Sequence, residues 1–229
     1  MAGGNGQCVR FLQWALPRLH LRWEGFRKVR GQVCKRLGRR LRELRLSGFA
    51  GYRAYLTRNP AEWAHLNGLC RITISRFYRD RRLFDRLGQW LTDTVRERGG
   101  PVRAWSAGCA SGEEPYTLSL IWDFRVRARY PDARIEILAT DSGPEMLERA
   151  KRACYPPGSL RELPRPWIEA AFTPGGGQLC LREPWKRPVR LLRHDLHSAL
   201  PPEIFDLILC RNLAFTYFEP PLQRRTLER

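Results

Sequence analysis

The stretch Trp105-Ser-Ala-Gly-Cys-Ala-Ser-Gly-Glu-Glu-Pro-Tyr-Thr-Leu-Ser-Leu-Ile-Trp122 constrains this chain more than any other. Val102 to Ala107 is a short, mostly apolar run of strand type, Gly108 and Gly112 punctuate the turn after it, and Tyr116, Leu120 and Phe124 recur at helical spacing. The reading is strand, glycine turn, helix, a unit of α/β architecture. Glycines at such a turn let the backbone approach a ligand, because no Cβ intervenes. The spacing is neither a Gly-x-Gly-x-x-Gly fingerprint nor a P-loop, since no Lys-Ser/Thr follows Gly112. Two carboxylates, Glu113 and Glu114, open the helix instead and would repel a pyrophosphate. They suit a ligand with cationic groups, such as S-adenosylmethionine with its sulfonium and ammonium. Acids in a first helical turn also simply complement the helix dipole, and the loop alone leaves both readings open.

The 229 residues, 43% of them apolar, can supply one sizeable core or two small ones. No run approaches the ~18 uninterrupted apolar residues of a membrane span. Arg10, Pro17, Arg18 and His20 break the N-terminal apolar stretch and argue against a secretory signal as well. The cysteines Cys8, Cys34, Cys70, Cys109, Cys154, Cys180 and Cys210 are scattered without a Cys-x-x-Cys pair. They read as reduced thiols of a cytoplasmic protein, mostly in the core, with no metal site. The net charge of +18 is unevenly placed, with fourteen Lys/Arg against Glu24 and Glu43 in residues 1–60. Such a block attracts nucleic acid, anionic membrane or an acidic protein, or is a solvated helix face; charge alone does not choose.

Residues 1–25 begin with a Gly/Asn leader expected to be loose. From Phe26, the positions Val29, Val33, Leu37, Leu41 and Leu44 fall on one stripe of a helix that Ser47-Gly48 ends. Short helices over 49–58 and from Pro60 complete a helical bundle. A further helix carries Leu83 to Val95 and stops at Gly99-Gly100-Pro101, taken as the domain boundary. Beyond it, strand candidates at about 103–107, 135–140, 189–193 and 205–210 alternate with helical segments, the pattern of a doubly wound parallel sheet. Asp141 ends the second strand, where one carboxylate can accept from both ribose hydroxyls. Asp141-Ser-Gly-Pro also makes an N-cap for the helix from Glu145. Residues 154–188, rich in Pro and Gly, read as an insertion with a hairpin around 178–181. Phe205 to Cys210 is nearly all apolar, as a buried parallel strand should be. Only seventeen residues follow Asn212, so the sheet reads as truncated, with an unpaired edge.

Four ordered segments resemble the CheR family, the S-adenosylmethionine-dependent methyltransferases that esterify glutamates of chemotaxis receptors. They are Ile72-Thr-Ile-Ser-Arg-Phe-Tyr-Arg-Asp80, the loop from Trp105 to Tyr116, Ile137-Leu-Ala-Thr-Asp141, and Phe205-Asp-Leu-Ile-Leu-Cys-Arg-Asn-Leu213. The resemblance runs roughly from Phe26 to the C-terminus. It implies an α/β fold with a basic helical subdomain over 1–98, then a doubly wound, Rossmann-like methyltransferase domain over 99–229 with its insertion at about 154–188. It implies S-adenosylmethionine as cofactor, held by Thr73, Ser75, Arg79, Gly108, Gly112, Glu113, Asp141, Asp195, Asn212 and Leu213. Arg79 and Tyr217 are expected beside the methyl-transfer site as catalytic residues, and the insertion stands where the family carries a small β-subdomain that docks a receptor peptide. The family pattern Asn-x-Thr-x-Phe-Phe-Arg has Thr73 for the Asn, Ser75 for the Thr and Tyr78 for the second Phe, and one extra residue precedes Tyr217. These changes mark a divergent, C-terminally short branch.

Methyl transfer from a sulfonium is an in-line displacement in which the enzyme aligns and desolvates its partners. A carboxylate acceptor is ionised near neutral pH and needs no base. The chain offers no credible His or Lys base, with His194 and His197 read as solvent or capping residues, and this is compatible with glutamate O-methylation. The expected acceptor is an acidic, helical, receptor-like protein, met by Arg36, Arg39, Arg40 and Arg42 of the basic helix. The Asn-Pro-Pro-Tyr type motif of amino-methylating enzymes is replaced by Arg211-Asn212-Leu213-Ala214. A nucleic-acid methyltransferase and a non-catalytic S-adenosylmethionine-binding adaptor stay open as the other readings.

Overall fold

The computed structural model describes residues 2–72, 75–196 and 200–228, with no side chains described for 2–5. The chain forms two compact units, Met1–Ile72 with Arg211–Arg229, and Thr73–Cys210.

The first unit opens with α1 (Ala2–Ala15), a 3₁₀ turn (Leu16–Leu19), α2 (Trp23–Phe26), α3 (Arg30–Glu43), α4 (Phe49–Arg58) and α5 (Glu62–Cys70). The leader expected to be loose is the first turn of α1. Cys8, Phe11, Leu12 and Ala15 fall on one face of that helix and are buried, which gives it a tertiary reason to form. Phe11 stacks on Tyr52 and touches Phe49 at ring distances of 5.4 and 5.1 Å. The apolar stripe of the basic helix is as the spacing predicts, with Val33, Leu37 and Leu41 buried, but α3 starts at Arg30, after a turn that closes from Val29 N–H to Phe26 C=O. The carboxylate of Glu62, 6% exposed, accepts from Arg40 through Nε (2.9 Å) and Nη2 (2.7 Å), and from the Tyr52 hydroxyl (2.7 Å). The Arg40 bonds, against the opposing effect of burial, hold the Glu62 carboxyl below its usual range.

In the second unit α6 (Arg81–Arg98) stops at Gly99, whose φ of 59° suits a glycine cap. Then come β1 (Val102–Ala107), α7 (Glu113–Ile121) prolonged by a π-helical turn (Trp122–Arg127), β2 (Ile135–Asp141) and α8 (Pro144–Arg152). The segment read as an insertion holds β3 (Cys154–Tyr155), α9 (Pro157–Leu160), α10 (Arg165–Ala171), β4 (Phe172–Gly175), β5 (Gln178–Leu181) and α11 (Glu183–Lys186), followed by β6 (Val189–Arg193) and β7 (Leu207–Leu209). The main sheet is parallel in the order β6-β2-β1-β7, the doubly wound arrangement. Val102 and Ala104 of β1 and Ile135 and Ile137 of β2 share a buried cluster with Leu118, Leu120 and Ile121 of α7.

Two expectations need correction here. The fourth strand is not a fully buried one: β7 spans three residues at the end of the strand order, and Ile208 is 55% exposed. The apolar composition of 205–210 instead serves an edge, with only Leu209 of β7 buried. The cysteines are not all reduced thiols, because Cys8 is bonded to Cys34 and Cys154 to Cys180. Each pair is 26 residues apart in sequence, so only the fold brings it together. The insertion is a three-stranded antiparallel sheet, β3-β5-β4, whose β4–β5 hairpin turns through Gly176 and Gly177 at φ of 57° and 74°.

The chain then returns to the first unit with α12 (Ala214–Tyr217) and α13 (Pro220–Leu227). Arg22 N–H donates to Tyr217 C=O (2.8 Å), Glu219 N–H to His20 C=O (2.9 Å), and Tyr217 lies against Phe26. A Cβ on Gly25 would stand 2.2 Å from the Thr216 carbonyl oxygen, so this approach requires glycine. No helix among the described residues is long and apolar enough to cross a membrane.

The Arg40–Glu62–Tyr52 cluster generates a stability prediction. Glu62→Ala leaves a guanidinium and a buried hydroxyl without their acceptor and is expected to cost about 3–5 kcal/mol, read by urea melts. Because the folded carboxyl is depressed, its contribution is full above the ordinary glutamate value of about 4.3 and lost as pH falls through the folded value. The wild-type advantage over Glu62→Gln should therefore shrink in acid melts, and a gap independent of pH would refute the assignment.

Candidate cofactor site

β1 and β2 run side by side, with Ala107 paired to Thr140, so the loop leaving β1 emerges beside the end of β2. Gly108 and Cys109 N–H both donate to the Thr140 carbonyl, each at 2.8 Å. Asp141 completes the junction. Its Oδ2 accepts from Ala110 N–H (2.9 Å) and its Oδ1 from Gly143 N–H (2.8 Å), so one carboxylate ties the loop to the start of α8. The helix N-cap position belongs to Gly143, and Asp141 acts two residues earlier as an Asx-type turn. Each oxygen keeps a second lone pair and can still accept from a ribose hydroxyl.

The loop needs left-handed backbone at Gly108 (φ 81°), Ala110 (φ 48°) and Gly112 (φ 93°). The sequence suggests that Gly112 leaves room for a ligand, and the structure gives another reason for it. A Cβ there would stand 2.7 Å from the Tyr116 ring and 3.1 Å from Ala150 Cβ, so the space is already filled. Tyr116 is held by its hydroxyl, which donates to Ala150 C=O at 2.9 Å.

Glu113, 2% exposed, receives the Ser111 hydroxyl at 3.0 and 2.9 Å from its two oxygens. Burial pushes its carboxyl above the usual range, opposed by hydrogen bonds from backbone, Ser111 and Ser75. Glu114 is engaged by Ser106 Oγ at 2.8 Å. Thr117 Oγ1 donates to Glu113 C=O (2.6 Å) and accepts from Tyr78 N–H (3.0 Å), which fastens the Ser75–Arg79 segment to α7. Arg79 is half-buried between two left-handed residues, Tyr78 (φ 55°) and Asp80 (φ 64°). The tyrosine at 78 is accommodated because its hydroxyl donates to Asp85 (2.9 Å) and accepts from Arg125 (2.7 Å). Burial, then the bond to Asp85, pushes this phenol up to about 12.

At the end of β6, His194 N–H donates to Asp141 C=O (3.1 Å), and exposed Asp195 follows. Gly108, Asp141 and Asp195 therefore gather at the carboxyl ends of β1, β2 and β6, where ligands of such sheets bind. Thr73 and His197 lie outside the described residues. Asn212, Leu213 and Tyr217 belong to the first unit, where Tyr217 is 9% exposed and packed on Phe26 at 5.1 Å. The four arginines expected at a partner surface divide. Arg36 donates to the carbonyls of Leu69 and Arg71 and Arg40 binds Glu62, so these two serve their own unit, while Arg39 and Arg42 are exposed. Sequence reasoning passed over Thr117, Ser111 and Tyr155. The Tyr155 hydroxyl donates to Ser111 C=O at 2.7 Å, and its position before Pro156-Pro157 reads as loop until the sheet is seen.

Residues 73–229 match the family model described as CheR methyltransferase, SAM binding domain, and residues 28–67 that of the CheR methyltransferase all-alpha domain. Chemotaxis protein methyltransferase 2 of Pseudomonas aeruginosa is 32% identical over 204 residues, 86% of this chain and 71% of that protein. The chemotaxis protein methyltransferase of Listeria monocytogenes is 36% identical over 146 residues, 63% of this chain and 54% of that protein. An uncharacterised 104.1 kDa protein of Rhodobacter capsulatus is 33% identical over 204 residues, 87% of this chain. The chain spans 21% of that last relative and about half of the Listeria one.

The loop geometry predicts that Gly112→Ala destabilises by about 1–3 kcal/mol, through the left-handed backbone and the clash with Tyr116. Asp141→Ala, which orphans two backbone N–H groups, should cost about 1–3 kcal/mol. Thermal melts decide, and wild-type stability in both variants would contradict this account of the loop.

Proposed function

The chain belongs to the CheR methyltransferase family, and on that premise we propose that it transfers a methyl group from S-adenosylmethionine to glutamate side chains of an acidic, receptor-like protein in the cytoplasm. The observation that carries the reading is the set of carboxylates at the carboxyl ends of β1 and β2: buried Glu113 and the half-buried, loop-holding Asp141. The fit to the cofactor is chemical. Burial disfavours the ionised form of Glu113, and a cationic group brought against it would offset that cost. Asp141, with lone pairs remaining, suits a ribose diol, and Asp195 suits an adenine amino group. Ser75, bonded to Glu113, and the close backbone approach that Gly108 allows complete the set on this unit. The cofactor supplies an electrophilic methyl group on a sulfonium.

The protein's part is alignment and exclusion of water. Arg79 would attract the acceptor carboxylate, which is ionised near neutral pH and needs no base. On the first unit, exposed Arg39 and Arg42 offer planar forks to acidic side chains. The Pseudomonas and Listeria relatives bear the name chemotaxis protein methyltransferase, and the receptor-like acceptor is what the resemblance to the CheR family implies.

The product tests the reading. Incubation with labelled S-adenosylmethionine and a lysate should give label in protein that mild alkali releases, as esters do. Label confined to a nuclease-sensitive, alkali-stable fraction would replace it with a nucleic-acid methyltransferase. Calorimetry on Asp141→Asn should show cofactor binding weakened about tenfold or more, the loss of one charged hydrogen-bond partner.

A further inference from the structure

β3 consists of two residues, Cys154 and Tyr155, and each is committed to a different partner. Cys154 stands directly opposite Cys180 of β5 and is bonded to it. Tyr155 points its hydroxyl at the Ser111 carbonyl inside the cofactor loop (2.7 Å), and its ring meets Phe77 edge-on at 4.8 Å. Ser159, four residues on, accepts from Phe77 N–H at 3.0 Å. The two segments that frame the cofactor site therefore both rest on the residue after the disulfide.

Tyr155 is buried in the core with Phe77 and Phe172, but the ladder that ties β3 to β5 is slight. β3 pairs with β5 through Cys154–Cys180 and Tyr155–Leu179, with Leu181 N–H donating to Ala153 C=O at 2.9 Å. Pro156 and Pro157 follow and can donate nothing to a ladder. A two-residue ladder has little stability of its own, so the covalent bridge is a large share of what fixes β3 to β5. Both cysteines are half-buried, within reach of a reductant. The proposed function puts this chain in the cytoplasm, where disulfides are mostly transient or redox-sensing.

We propose that Cys154–Cys180 is a redox latch on the cofactor loop: oxidised, it holds Tyr155 against Ser111; reduced, it releases β3 and weakens cofactor binding. The proposal rests on the reading of this loop as the S-adenosylmethionine site. A dithiol reductant would open the latch by two exchanges. Its thiolate attacks one sulfur, the Cys–Cys bond breaks as a mixed disulfide forms, and the departing cysteine takes a proton. The second thiol of the reductant displaces the other cysteine, so that two electrons and two protons pass to the pair and the reductant leaves as its own disulfide.

The test uses the full chain, oxidised or reduced with dithiothreitol, with thiols mapped by alkylation. Amide exchange at Ala110 and Gly112, both hydrogen-bonded in the loop, should quicken about fivefold or more on reduction, the scale of one lost hydrogen bond. S-adenosylmethionine affinity should fall by a similar factor. Cys154→Ser/Cys180→Ser, which leaves Cys8–Cys34 in place, should match reduced protein in both states. Tyr155→Phe should quicken the same amides with the disulfide intact. Unchanged loop exchange in protein whose Cys154 and Cys180 are alkylated overturns the latch, whatever the cofactor titration gives. Quickened exchange at unchanged affinity also overturns it. Failure of both redox forms to bind the cofactor overturns the site reading instead, and the exchange result still decides whether the disulfide holds the loop.

Discussion

One carboxylate sets the geometry on which the second unit depends. Asp141 receives two backbone N–H groups from segments far apart in sequence, one in the loop after β1 and one at the head of α8. The Thr140 carbonyl adds two further bonds to the loop. The end of β2 therefore dictates the path of the chain after β1, and that path determines where Glu113 sits. The hydrogen bonds that shape the loop and the groups proposed to meet a cofactor belong to the same residues. Shape and chemistry cannot be altered separately at this position.

The loop was legible because its signals are local. A strand-type run, glycines at turn positions and a helical apolar period each depend on neighbours along the chain. The stripe Val33, Leu37, Leu41 was legible for the same reason, and all three residues are buried. What escaped depends on partners distant in sequence. Gly112 is fixed by Tyr116 and Ala150, the second of which lies 38 positions further on. Arg40 looks like any other arginine of a basic helix until Glu62 and Tyr52 are placed beside it. The disulfides escaped because cysteine spacing carries no information on pairing when the fold supplies the proximity. The helix from Ala2 escaped because its glycines and asparagine argue locally against helix, and burial of Phe11 and Leu12 outweighs them.

The same arithmetic applies to charge. A chain with 41 basic and 23 acidic residues invites the reading that its arginines face outward to a partner. Several are structural. Arg36 satisfies carbonyls near the end of α5, Arg40 neutralises a buried glutamate, and Arg125 joins Asp85 to the hydroxyl of Tyr78. Arg18 and Arg53 each lie over the ring of Trp14, at 4.4 and 4.2 Å. These arginines keep their charge, but their guanidinium donors are spent within the fold, and the forks open to a partner are those of exposed residues such as Arg39 and Arg42.

The first unit is built from two stretches, Met1–Ile72 and Arg211–Arg229, with the whole second unit threaded between them. Its pairings Arg22 to Tyr217 and Leu21 to Phe218 join residues nearly two hundred positions apart. During synthesis the helices α1 to α5 leave the ribosome before the second unit, yet the groove that α12 fills beside Gly25 stays open until residues 211–229 emerge. The contiguous second unit meets no such delay. Of the two units, the one begun earlier is completed later, and Phe26 stays exposed to non-native association until Tyr217 reaches it.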